Sequence, residues 1–93
     1  MTGRPELLRQ GAQRRGGSYS IGFIAAKLRP SDAGGGLAAR LGVVWADGRT
    51  IVELGSGEGV ALPGGGELRV IDIFVNPDGT QTAAAIEVTE PGA

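Results

Sequence analysis

The segment LAARLGVVWADGRTIVEL, Leu37 to Leu54, constrains the fold more than any other part of the chain. Two runs rich in alternating apolar residues meet at Asp47-Gly48. Asp-Gly suits a two-residue β-hairpin turn, whose central residues take positive φ. Closing the turn with Ala46 and Arg49 sets a register in which Trp45 faces Thr50, Val43 faces Val52 and Leu41 faces Leu54. Those residues share one side of the sheet and are nearly all apolar. The other side pairs Ala46 with Arg49, Val44 with Ile51 and Gly42 with Glu53, with Arg40 diagonal to Glu53. Pattern and turn chemistry agree, which is the mark of a specified register.

A second hairpin follows in ELRVIDIFVNPDGTQTAAAIEV. Pro77 presets φ at the first corner of NPDG, and Gly79 suits the left-handed position after it. With Asn76 and Thr80 closing the loop, Phe74 faces Thr82, Val70 faces Ile86 and Leu68 faces Val88. Arg69 then opposes Glu87, a cross-strand charge pair. The same register sets Asp72 beside Ala84, on the face of Leu68, Val70 and Phe74. A carboxylate there is either a buried acid of raised pKa or a group near a sheet edge or an arginine. A lone acid without a neighbouring His, Lys or second carboxylate is a weak catalytic signal.

Composition narrows the chemistry. The chain has 93 residues, so one domain with a small core is expected. It has no Cys and no His. That removes disulfides, thiolate chemistry, the usual catalytic triads and most transition-metal sites. No apolar run approaches the roughly 20 residues of a membrane-spanning helix. The N-terminal MTGRPELLRQ lacks the apolar stretch of a signal peptide, so a cytoplasmic location is expected.

The glycine clusters read as turns. GSGEG, Gly55 to Gly59, resembles a phosphate-cradling loop, but such loops open directly onto a helix N-terminus. Here VALPGGGEL follows, and Pro63 with three glycines starts no helix. Val60–Leu62 is a short strand between two turns. SDAGGG, Ser31 to Gly36, is the loop after the strand SYSIGFIAAKL. Asp47, Glu58 and Asp78 sit in turns without the dense oxygen ladder of a calcium loop, so no metal or cofactor site is assigned.

Charge is unevenly placed. Residues 1–17 carry Arg4, Arg9, Arg14 and Arg15 against Glu6, whereas residues 18–93 are net acidic. The first segment is expected to be a basic arm, flexible or briefly helical from Pro5, and a candidate for contacting an anion. Gly11 and the shortness of the segment weaken the helix. Removing residues 1–16 is expected to leave the β-domain, 18–93, folded. A base-stacking surface would need exposed aromatic groups and a basic groove, and the body is acidic with one Trp, one Tyr and two Phe. Nucleic acid is therefore disfavoured as a partner.

Both hairpins also carry apolar groups on their second faces: Val44 and Ile51 on one, Ile71, Ile73 and Val75 on the other. A half-exposed antiparallel sheet would be polar there. Barrel closure, cover by Leu7 and Leu8 of the arm, or a second subunit would each account for the surplus. Val44, Ile51, Ile71 and Ile73 are the candidate interface residues for the last case.

The order of strands and turns in LGVVWADGRTIVELGSGEGVALPGGGELRVIDI resembles short, uncharacterised all-β domains of actinomycetes. The resemblance covers about residues 18–90 and implies a fold without any catalytic or binding residue. The expectation is an all-β domain of about six antiparallel strands, a small sandwich or barrel, preceded by the arm. Its expected role is a non-catalytic interaction or accessory domain that forms a homodimer or meets another protein. The alternatives are a small β-barrel that binds or cyclises an apolar molecule through Asp72 or Tyr19, and a nucleic-acid-associated protein using its arm.

Overall fold

A computed structural model describes residues 5–33, 35–78 and 81–90. Its strands are β1 (Glu6–Arg9), β2 (Gln13–Gly16), β3 (Tyr19–Leu28), β4 (Leu37–Trp45), β5 (Gly48–Gly55), β6 (Gly59–Ala61), β7 (Glu67–Val75) and β8 (Thr82–Thr89). A single 3-10 turn, Ser31–Ala33, interrupts the β3–β4 connection. The strands form two antiparallel sheets packed face to face. The front sheet has the order β2-β3-β4-β5 and the back sheet β1-β8-β7-β6. The all-β class expected from the sequence is present, and of the two expected forms, sandwich or barrel, it is the sandwich, with the six expected strands as β3 to β8.

The two additional strands come from the segment read as an arm. β1 pairs with β8, from Glu6 opposite Ile86 to Arg9 opposite Ala83. β2 pairs with β3, from Gln13 opposite Gly22 to Gly16 opposite Tyr19. The expectation of a flexible tail or short helix is therefore corrected over Pro5–Gly16, while residues 1–4 lie outside the described part. A helix this short has little stability alone. As strands, the same residues pair the edges of β8 and β3 and deliver Leu8 to the core. Gly11, unfavourable to a helix, has φ +86° and lets the strand turn from one sheet into the other. Gln10 N–H donates to the Thr82 carbonyl in the back sheet (2.9 Å), and Gly11 N–H to the Phe23 carbonyl in the front sheet (2.8 Å).

The core lies between the sheets. Ile21, Phe23, Leu41, Val43, Leu68, Val70 and Ile86 are at most 1% exposed, and Tyr19, Leu54, Leu62 and Val88 close around them. No polar or charged residue is buried among the described residues.

The first hairpin has the expected faces and a different register. Leu41 faces Val52, Val43 faces Thr50 and Trp45 faces Gly48, so the pairing of Val43 with Val52 is corrected by two residues. An even shift keeps every side chain on its face. The corners are Ala46 and Asp47, and no described non-glycine residue has positive φ. Gly48 belongs to the strand. A Cβ there would stand 3.2 Å from Cζ2 of Trp45, so the glycine accommodates the indole and is not the turn residue the sequence suggests.

The second hairpin begins in the expected register: Leu68 faces Val88, Arg69 faces Glu87 and Val70 faces Ile86. A bulge at Ile71 then shifts the ladder, so that Asp72 faces Ala85, Ile73 faces Ala84 and Phe74 faces Ala83. The bulge corrects the placement of Asp72 and Phe74 on the core face. Both are exposed, and Ile73 packs inward. An unpaired carboxylate among Leu68, Val70 and Ile86 would be costly to desolvate. At the bulge, Asp72 Oδ1 instead accepts the Ile73 N–H at 2.8 Å and the Ser56 hydroxyl at 3.3 Å.

Leu8 is 5% exposed and its neighbour Leu7 is 63% exposed. Leu8→Ala should cost about 2–5 kcal/mol, the range for an aliphatic side chain deleted from a core, and Leu7→Ala far less, because its side chain lies outside the core. Urea denaturation of the two variants measures the difference. Removing residues 1–16 should unfold the domain, reversing the expectation from sequence, because it takes away Leu8 and both edge pairings.

Candidate functional site

Each outer face of the sandwich carries an open groove. On the front sheet, outward positions alternate with the core residues and fall at Gln13, Arg15, Ser20, Gly22, Arg40, Gly42, Val44, Arg49, Ile51 and Glu53. A bulge between Phe23 and Ala25 adds Ile24 to this face. A Cβ on Gly42 would meet Ile24 Cδ1 at 3.6 Å, and one on Gly22 would meet Gln13 Cγ at 3.4 Å. Ile24 and Gln13 thus lie across two facing glycines. Gly42, Val44, Arg49 and Ile51 line a groove of about 380 Å³.

The back sheet presents Leu7 and Arg9 of β1, Ala83, Ala85 and Glu87 of β8, and Glu67, Arg69, Ile71, Asp72 and Phe74 of β7. Its groove of about 450 Å³ is lined by Leu7, Arg9, Phe74, Asn76, Gln81 and Ala83, among others. Small side chains on β8 form the floor, with the larger side chains of β1 and β7 as walls.

The four candidate interface residues do not share a face. Val44 and Ile51 are 50% and 57% exposed on the front sheet. Ile71 is 42% exposed on the bulge of the back sheet, and Ile73 packs against the core. Ile73, expected with Ile71 on the second face of its hairpin, packs inward instead, because the bulge reverses the side-chain alternation between them. The arm arginines are likewise dispersed. Arg9 lies on the back face. Arg14 Nε pairs with Glu6 Oε2 at 3.0 Å. Arg15 lies on the front face and donates to Gln13 Oε1 at 3.3 and 3.2 Å. Arg4 is outside the described residues. Tyr19 is buried with its hydroxyl donating to the Pro63 carbonyl, so that polar group is already engaged.

The glycine cluster GSGEG forms the second corner between sheets, again without a helix. Gly57 has φ +81° and donates its N–H to the Val70 carbonyl at 2.7 Å. Glu58 on this corner receives a two-pronged contact from Arg29: Nη1 donates to Oε1 at 2.9 Å and Nη2 to Oε2 at 2.8 Å. Gly55 N–H donates to Oε1 at 2.9 Å. The guanidinium lies against Gly55, where a Cβ would stand 2.4 Å from Nη2. The Arg29 hydrogen bond, followed by that from Gly55, lowers the Glu58 pKa to about 2. The same hydrogen bond raises the pKa of Arg29. No sequence spacing signals this pair, because its members are brought together only by the packing of the β3–β4 loop on the β5–β6 corner.

Among the described residues, no group of three or more His, Cys, Asp or Glu is placed to hold a metal ion. No protein-family model, curated protein or solved structure matches the chain.

Glu58 makes a pH prediction. Its folded-state pKa, about 2, lies below the ordinary value of 4.5. A depressed carboxylate contributes stability that is fully present above its unfolded pKa and lost as pH falls through the folded one. Wild type should therefore melt above Glu58→Gln by a constant margin at neutral pH. The margin should shrink between about pH 5 and pH 2. Circular dichroism melts across that range measure it, and a margin independent of pH would refute the assignment.

Proposed function

We propose that this is a non-catalytic interaction domain that self-associates through the outer face of its back sheet. The observation that carries this reading is the exposure of Leu7, Ile71 and Phe74, at 63%, 42% and 49%, around a floor of small alanines. Soluble monomers seldom leave large contiguous apolar patches in water. The face is also electrically mixed, with Arg9 and Arg69 against Glu67, Asp72 and Glu87. A two-fold dimer presents the same patch from both subunits, so a patch with both signs can meet its copy without like-charge conflict. The small floor allows two sheets to approach closely.

The chemistry of the remaining residues supports a binding role over a catalytic one. Asp72 is a surface bulge residue, and the described core holds no acidic or basic side chain; the one phenol in it, Tyr19, donates to the Pro63 carbonyl. Large side chains fill the space between the sheets, which favours interaction over binding of a small molecule inside a barrel. No helix among the described residues is long and apolar enough to cross a membrane.

Sedimentation equilibrium at micromolar concentration is the test. Wild type should sediment as a dimer. Phe74→Glu should sediment as a folded monomer, since the side chain is exposed and its replacement leaves the core intact. A wild-type monomer would overturn the reading. So would a Phe74→Glu dimer as tight as wild type.

A further inference from the structure

The front face differs from the back face in its charge. Ile24, Val44 and Ile51 are 45%, 50% and 57% exposed at its centre. Around them stand Arg15 from β2, Lys27 from β3, Arg40 from β4 and Arg49 from β5. Lys27 joins this set because it pairs with Ala38, on the same side of the sheet as Arg40 and Ala25. The only carboxylate at an outward strand position among the described residues of this face is Glu53. It is engaged by Lys27 Nζ at 3.2 Å and lies 3.8 Å from Arg40 Nε. The face is thus cationic on a chain whose net charge is −1.

The geometry points to the front groove as the docking site for an acidic, apolar segment of another protein. The Gly42 floor, with Val44 and Ile51 as walls, takes an apolar side chain, and Arg15, Arg40 and Arg49 meet flanking carboxylates. A second copy of this chain fits poorly, because a two-fold contact would set the arginines of one face against those of the other. The centre is aliphatic and concave. Nucleic acid favours exposed aromatic platforms in a basic groove, and membrane insertion favours a protruding apolar edge. This site is separate from the self-association face and stands or falls independently of it.

The test uses a fluorescein-labelled amphipathic peptide of Glu and Leu, with Leu at helical spacing, titrated with the full chain and read by anisotropy. A peptide with Lys in place of Glu, oligo-dT and phosphatidylglycerol vesicles are the competing ligands. The Glu–Leu peptide should bind in a salt-sensitive manner, and the Lys–Leu peptide should not. Ile51→Glu and Arg49→Glu should each weaken binding by about tenfold or more, as loss of a central contact does. Both substitutions fall on exposed positions, and each variant should keep the wild-type melt and sedimentation coefficient. No binding of the Glu–Leu peptide, equal binding of the Lys–Leu peptide, or tighter binding of oligo-dT or vesicles would overturn the proposal. Conversion of Ile51→Glu to a monomer would overturn it too, by assigning the front face to self-association.

Discussion

At Gly11 the backbone passes its hydrogen bonds from one sheet to the other within two residues. Gly57 does the same on the opposite side, where its N–H and the Glu58 carbonyl flank Val70 of β7. These corners determine the architecture. Each sheet has four strands, and each edge strand continues through a corner into the edge strand of the other sheet. Sheets joined on both sides enclose one core with few open ends, which matters for a chain with so little surface to bury. A residue with a Cβ pays a steric penalty at such φ values, so these positions favour glycine. Only a few of the many glycines are used in this manner.

The corners also explain how the domain manages its edges. β1 and β2 have four residues each and β6 has three. Short edge strands offer little template for pairing with a foreign strand. β5 is longer, but it carries Arg49 and Glu53 and bends away at Gly57. Association through backbone ladders is therefore suppressed, and the contacts proposed above fall to side chains on the outer faces. Ile24, Val44 and Ile51 are exposed on one face and Leu7, Ile71 and Phe74 on the other, while Leu28, Leu37 and Val75 are exposed at strand ends.

Legibility in the sequence follows from period. Where apolar residues alternate strictly, as in Leu41, Val43 and Val52, faces were readable even with the turn displaced. The start of the second hairpin was readable because Arg69 and Glu87 fixed one register among several apolar alternatives. Beyond Val70 the run Ile71-Asp72-Ile73-Phe74-Val75 is apolar on both parities, so pattern alone cannot locate a bulge. Asp72 was the available signal: a carboxylate in an apolar run must be turned outward or paired, and the bulge turns it outward. The strands β1 and β2 are hidden from sequence for a different reason. A four-residue strand has too few positions for a period to show, and β1 exists because β8 offers it an edge. The sheet faces as charged surfaces were hidden because Arg15, Lys27, Arg40 and Arg49 come from four strands.

The pair Arg29–Glu58 links the two levels of this organisation. Arg29 follows β3 at the start of the loop to β4, and Glu58 sits on the corner between the sheets. Their contact ties the end of a central front strand to the segment that carries the chain into the back sheet. Glu58 also accepts from Gly55, so a single carboxylate holds the corner backbone and the loop together. A surface ion pair of ordinary geometry contributes little, but a bidentate arginine contact anchored by a backbone donor constrains orientation. Without it the β5–β6 corner would keep its bonds to Val70, the Arg69 Nη1 contact to the Gly57 carbonyl at 2.9 Å and the Ser56–Asp72 hydrogen bond at 3.3 Å, and would lose its tie to the β3–β4 loop. With it, the front and back sheets are held in one relation at a point remote from both grooves. Neither Arg29 nor Glu58 lines the groove of either outer face, so this tie between the sheets leaves both faces uncovered.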